Sequence, residues 1–215
     1  MEFELGMGIS QAYGHWKLVL FNIVLWSLPV FFWVRPRKPL EMLAFGLFSL
    51  FLIDVFVELY GFPYTLMLFA DEAAAYGVDG GLSFRAGDLW RIWLKEDDYH
   101  HEVYDLYHLF AGIFLFGGLI ALFVAARTLR NARLSNVPAA TGVYAFFRHP
   151  QYLALISLML GHIIQGPTLP TLVLFPLVSS LYILLAHWEE KDLLTRFGAA
   201  YDLYMKRTPG FMFWR

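Results

Sequence analysis

Apolar residues run through this chain in long blocks broken by short polar punctuation, the pattern of helices that cross a lipid layer. The first block, Leu18 to Val34, is interrupted only by Asn22, Ser27 and Pro29 and stops at Arg35-Pro36-Arg37-Lys38-Pro39. Residues 1–11 carry Glu2 and Glu4 and no lysine or arginine, the reverse of the basic start of a signal peptide. A second block starts near Leu40 and persists to about Tyr60, with Asp54 and Glu58 inside it. A third, Leu106 to Ala126, holds one histidine, His108, and no charged residue. Arg127, Arg130 and Arg133 follow it at spacings that share one face of a continuing helix. The stretch Tyr152–Ile164 is too short to cross comfortably at ~1.5 Å per residue. Gln165-Gly166-Pro167-Thr168-Leu169-Pro170 turns the chain and Thr171 to Ala186 returns it, which predicts a tight helical hairpin ending at Trp188-Glu189-Glu190. Between the second and third blocks, residues 71–105 hold nine acids against three bases, with Gly77, Gly80 and Gly81 as breakers. That segment reads as a hydrated outer loop carrying a short helix around Gly87–Tyr99.

Composition agrees with the pattern. Of 215 residues, 59% are hydrophobic and 16% charged, against roughly half and a quarter in soluble domains, and the mean hydropathy is +0.54. The expected fold is all-α, a polytopic membrane bundle of about five spanning helices. A formal charge of −2 offers no basic field for nucleic acid, and zero cysteines exclude a disulfide framework, a thiol nucleophile and a zinc–cysteine cluster. Lysine and arginine mark cytoplasmic loops. Three bases in 35–38, four in 127–148 and five from Glu189 onward, against a net −6 in 71–105, place the N-terminus outside and the C-terminus in the cytosol. The chain divides into N-terminal spanning helices, 1–134, and a C-terminal unit, 135–215.

Polar residues of the C-terminal unit gather in two runs, 141–152 and 189–204, separated by the hairpin. Because a hairpin brings its ends together, Arg148–Tyr152 and His187–Glu190 are expected to meet at one membrane face. They supply imidazole, phenol, guanidinium and two carboxylates at the mouth of an apolar cavity. That chemistry suits a ligand bearing cations and a carboxylate, held beside a lipophilic partner.

The run GVYAFFRHPQY (142–152), the apolar hairpin, and EEKDLLTRFGAAYDLYMKRTP (189–209) resemble the C-terminal core of the isoprenylcysteine carboxyl methyltransferases and their prokaryotic relatives. The similarity to phospholipid N-methyltransferases is more distant. The resemblance covers about Asn136–Phe213 and implies S-adenosylmethionine bound on the cytosolic side, capped by the C-terminal helix, with a lipid or small lipophilic acceptor entering from the bilayer. Carried over by position, the cofactor contacts fall on Asn136, Val137, Pro138, Ala139, Tyr144, His149, Pro150, Gln151, Tyr152 and Glu189, with Glu190 beside them. Glu189 and His187 are the candidate catalytic residues. Where the prenylcysteine enzymes place a substrate-binding arginine four residues before the Glu189 position, this chain has Leu185, and His187 is the nearest cationic side chain. A neutral or aminated lipid, or a small lipophilic thiol, therefore stands beside the prenylcysteine carboxylate as acceptor.

A second constellation belongs to the other face. Asp54 and Glu58 are four apart on one side of the second span, and His101, Asp105 and His108 share a face of the third. Intramembrane carboxylates are costly and are usually paired or functional. These five residues offer ligands for a divalent metal such as zinc, iron or manganese, which a redox or transport protein would use. The alternative is plain pairing of an acid with a histidine to hold helix to helix. Either way the cluster lies some 20 Å from the first, at ~1.5 Å per residue.

Overall fold

The computed structural model describes residues 14–34, 39–62, 64–68 and 101–211, and of residues 34, 40, 66, 67 and 101–105 the backbone only. The expected loop 71–105 and the short helix at Gly87–Tyr99 lie outside the described residues, apart from the helical backbone from His101 on. The elements are α1 (Trp16–Val34), α2 (Pro39–Phe56) with a π-helical turn at Val57–Gly61, α3 (Tyr64–Leu68), α4 (His101–Leu134), a 3-10 turn (Gly142–Ala145), α5 (Pro150–Gln165), α6 (Leu169–Phe197) and α7 (Ala199–Arg207). No strand occurs among the described residues. This is the helical bundle that the apolar blocks predict.

α1, α4, α6, and α2 together with its π turn are long and apolar enough to cross a membrane. The 16-residue α5 extends about 24 Å at ~1.5 Å per residue, short of a full hydrocarbon core, as its sequence predicts. Two helices outrun their apolar blocks. α4 continues through Arg127–Arg133 to Leu134, and α6 continues past Ala186 to Phe197. Nothing in Glu189–Arg196 breaks a helix: the run is free of glycine and proline and rich in residues of good helical propensity. α6 stops where Gly198 takes φ 53° and ψ −129°, a conformation that glycine alone enters cheaply, and the chain turns there into α7.

Around the bundle, Leu20, Phe21, Leu109, Phe116, Ile120 and Val173 are exposed, an apolar outer surface suited to lipid. Inside, Phe48, Phe51, Leu52, Leu122, Leu155, Leu158 and Met159 are fully buried in one cluster. α4 and α5 approach so closely that a Cβ on Gly161 would lie 2.8 Å from Leu115 Cγ, and one on Gly118 would lie 3.0 Å from the Ala154 carbonyl oxygen. Ser157 Oγ donates to the Phe114 carbonyl across the same seam, at 2.9 Å. This seam fixes the first arm of the hairpin. α6 returns along α2, so the polar runs before α5 and at the end of α6 finish at one end of the bundle.

Candidate functional site

Pro150 sits at the first position of α5, where its missing N–H costs nothing, and His149 just before it is buried at 2% exposure. Forty residues on, Glu189 and Glu190 project from α6 toward the same place. His149 Nε2 lies 3.0 Å from Glu190 Oε1 and its Nδ1 3.7 Å from Glu189 Oε2. The Tyr152 hydroxyl donates to Glu189 Oε1 at 2.7 Å. The folding back of residues 153–186 therefore sets one imidazole beside two carboxylates.

Arg148 locks this arrangement. Its Nε donates to Glu190 Oε1 at 2.6 Å, and its Nη1 donates to the carbonyls of Met205 at 3.0 Å and Thr208 at 2.7 Å. Its backbone N–H donates to the Pro209 carbonyl. One buried guanidinium thus ties the start of α5 to α6 and to the segment after α7. The Tyr204 hydroxyl donates to the Tyr144 carbonyl at 2.6 Å, a second tie from α7. The rings of His149 and Phe211 stack with centroids 5.6 Å apart, and Tyr152 stacks on Tyr182 at 5.2 Å. Burial opposes charging of His149, but the hydrogen bonds and charges of Glu189 and Glu190 outweigh it and raise its pKa above the ordinary 6.5. The ring is held toward the imidazolium form, which suits a buried acid neighbour.

These residues front a chamber of about 560 Å³, within the ~300–1,000 Å³ of small-ligand pockets. Of the residues expected to contact a cofactor, Val137, Pro138, Ala139, Tyr144, His149, Gln151, Tyr152 and Glu189 line it. Asn136, Pro150 and Glu190 are not in the lining. Asn136, at a left-handed φ of 52°, accepts from Arg196 Nη2 at 2.6 Å. Glu190 spends Oε1 on Arg148 and His149. His187 is exposed, with Nδ1 2.8 Å from the Ile183 carbonyl of its own helix, and it does not line the chamber. Two positions before the inward-facing Glu189, it points to another side of α6. Leu185 does line it, and is buried.

Several lining residues were not foreseen. Arg196, Tyr201 and Tyr204 border the chamber, and so does Arg133, the last of the three arginines that follow the third apolar block. α2 adds Glu41, Ala44 and Phe45. Their i, i+3, i+4 spacing marks one helical face, but nothing in the sequence says which distant helix that face meets.

At the opposite end the acids have other partners than a metal. Thr168 Oγ1 donates to Asp54 Oδ2 at 2.5 Å. Glu58 Oε1 accepts from both the backbone N–H and the hydroxyl of Thr65. Thr168 also caps α6 through a reciprocal pair with Thr171. Among the described residues no three His, Asp or Glu side chains gather as a metal site. The metal expectation for Asp54, Glu58, His101, Asp105 and His108 finds no support among the described residues. Threonine hydroxyls, supplied by α3 and by the α5–α6 turn, satisfy the two acids that carried it. The side chains of His101 and Asp105 lie outside the described residues.

The described fold and site define a class: a membrane-spanning helical protein with a ligand-sized chamber walled by a buried Arg–His–Glu network at one end of the bundle. The chain is similar to methanethiol S-methyltransferase 2 of Bradyrhizobium diazoefficiens, with 35% identity over 129 residues, 57% of this chain. The match spans 43% of that protein's own length. No family model matches the chain, and no solved structure matches it.

Proposed function

We propose that this protein is an integral membrane methyltransferase that takes its methyl group from S-adenosylmethionine and gives it to a small lipophilic acceptor, a thiol before a prenylcysteine carboxylate. The observation that carries the reading is the meeting of His149, Tyr152 and Glu189 on one wall of the 560 Å³ chamber. The similarity to a methanethiol S-methyltransferase supports the reaction class. In this reading the chamber opens at the cytosolic face, the N-terminus lies outside, and residues 135–215 form the donor-binding unit.

The residues fit the donor. The Tyr144 hydroxyl is buried in the chamber wall with no hydrogen-bond partner, a costly condition that a polar ligand relieves. Glu189 is 26% exposed and faces the chamber, so its remaining lone pairs can accept from an ammonium or from ribose hydroxyls. Arg133 and Arg196 on the same lining suit the donor's carboxylate. When bound, the donor supplies an electrophilic methyl on a sulfonium. The protein's part is to hold acceptor and methyl in line, which supplies much of the acceleration in such displacements. Leu185 stands where a carboxylate acceptor needs a cation, and with Leu155, Tyr182 and Phe45 it makes the inner wall apolar.

Calorimetry of the purified protein with S-adenosylhomocysteine tests the reading. Binding to the wild type that is lost in His149→Ala plus Glu189→Ala is the expected result. No binding to the wild type, or the same binding in the double variant, overturns it.

A further inference from the structure

Four rings at the donor side of the chamber form a stacked chain. Phe211, His149, Tyr152 and Tyr182 follow one another with centroids 5.6, 5.9 and 5.2 Å apart, and their planes lie 21°, 19° and 12° from parallel. Near-parallel rings at these separations are the offset stacks that aromatic side chains favour. The chain of rings joins the segment after α7, the start of α5 and the middle of α6. His149 is held by Glu190 at 3.0 Å, and Tyr152 by Glu189 at 2.7 Å. Tyr182 enters neither acid contact, yet it is 2% exposed and lines the same chamber.

Tyr182, Leu185 and Glu189 stand at i, i+3 and i+7 of α6, one face of that helix, and all three line the chamber. Tyr152, from α5, meets this face at two points: its ring lies on Tyr182 and its hydroxyl donates to Glu189. A tyrosine turns about two side-chain bonds, so the rings packed on it decide where its hydroxyl sits. That hydroxyl in turn fixes one oxygen of Glu189, whose side chain is 26% exposed toward the ligand space. A carboxylate already held in place loses less freedom when a ligand docks on it.

We propose that Tyr182 is a positioning residue of the donor site: its ring holds the ring of Tyr152, and through the Tyr152 hydroxyl it keeps the Glu189 carboxylate aimed into the chamber. This rests on the methyltransferase reading, in which Glu189 receives the donor's ammonium or ribose hydroxyls. The role belongs to the aromatic ring of Tyr182 and not to its hydroxyl. It also acts in series with Tyr152, so the two residues share one effect on donor affinity rather than contributing two.

The test is a double-mutant cycle read by calorimetry with S-adenosylhomocysteine on the full-length protein: wild type, Tyr182→Leu, Tyr152→Phe and the two combined, with Tyr182→Phe as the conservative variant. The expected result is a Kd weakened about tenfold in Tyr182→Leu and in Tyr152→Phe, the size of one lost hydrogen bond to a charged group. In the Tyr152→Phe background, Tyr182→Leu should add less than about threefold, the mark of residues that act through one another. Tyr182→Phe keeps the stack and should lose less than about threefold. Losses that multiply to about 100-fold in the combined variant overturn the proposal, because Tyr182 would then act on the ligand or the fold without Tyr152. So does a Tyr182→Phe as weak as Tyr182→Leu, or wild-type affinity in either Tyr182→Leu or Tyr152→Phe. If leucine at 182 impairs folding, Tyr182→Met, which has no ring and fills irregular gaps, carries the same cycle with the same two outcomes. A wild type that does not bind S-adenosylhomocysteine defeats the methyltransferase reading itself, whereas a binding wild type with multiplying losses defeats this proposal alone.

Discussion

Both ends of this bundle bury acids near a histidine, and they differ in what is left over once the acids are satisfied. At one end Asp54 and Glu58 take hydrogen bonds from Thr168 and Thr65. The space left beside Glu58, Thr168 and His162 is about 20 Å³, enough for little more than one water molecule. At the other end Glu190 is likewise consumed, by Arg148 and His149. There, however, Glu189, Tyr152 and the unpartnered Tyr144 hydroxyl front a chamber of about 560 Å³. Buried charge alone does not make a binding site. A site needs polar groups left incompletely satisfied and a void large enough for the molecule that completes them.

The sharpest way to break this comparison is Arg148→Ala. It removes the partner of a buried carboxylate and the donor to two carbonyls of the C-terminal segment. Stranding one member of a buried pair costs about 3–5 kcal/mol. Chemical denaturation in detergent should show that loss, and S-adenosylhomocysteine affinity should fall with it because His149 and Glu190 lose their anchor. Retained stability would mean that the network is ornamental.

A smaller effect is expected at the seam between α4 and α5. Gly161→Ala drives a Cβ to 2.8 Å from Leu115 Cγ and 3.0 Å from the Leu115 backbone nitrogen. The backbone cannot yield as a side-chain tip does, so overpacking of about 1–3 kcal/mol follows. A thermal melt that drops while nucleoside binding persists would separate hairpin support from the chamber itself.

Thr168→Val comes next. It removes the Asp54 partner and the cap of α6, for about 1–2 kcal/mol. The expected signature is lower stability with S-adenosylhomocysteine affinity unchanged. Were affinity to fall as far as in Arg148→Ala, the two ends would be coupled and the contrast between them would fail.

How much of this was legible beforehand follows from what hydropathy and spacing report. Long apolar blocks reveal where a chain crosses lipid, and the tight Gln165–Pro170 turn reveals that residues 148–152 and 189–190 end together. They do not reveal where a helix ends in water, so α6 runs eleven residues past Ala186 to Phe197. Spacing on one helix also leaves rotation undetermined: His187 and Glu189 are two apart, and the bundle turns one outward and the other in. Pairing between distant helices is invisible in a single chain, which hid the α2 wall with Glu41. The threonine partners of Asp54 and Glu58 were hidden for a related reason. Short threonine side chains from a neighbouring turn are no less able than histidine to satisfy a buried acid, and their proximity is set by the fold alone.

The gentlest probe is pH, because it alters charge without altering packing. His149 is buried, which disfavours its charged form, yet Glu189 and Glu190 raise its pKa above the ordinary 6.5. A group whose pKa is higher in the folded than in the unfolded state stabilises the fold fully below its unfolded value, and that contribution fades as pH rises through the folded value. Comparing melts of wild type and His149→Gln across that range should therefore show the wild-type advantage greatest on the acid side of 6.5, shrinking as pH rises from there, and gone above the raised value. An advantage that stays constant with pH would mean a neutral ring, held by stacking on Phe211 and Tyr152 rather than by the two acids. The charge logic that distinguishes this end of the bundle from the threonine-satisfied one would then lose its central member.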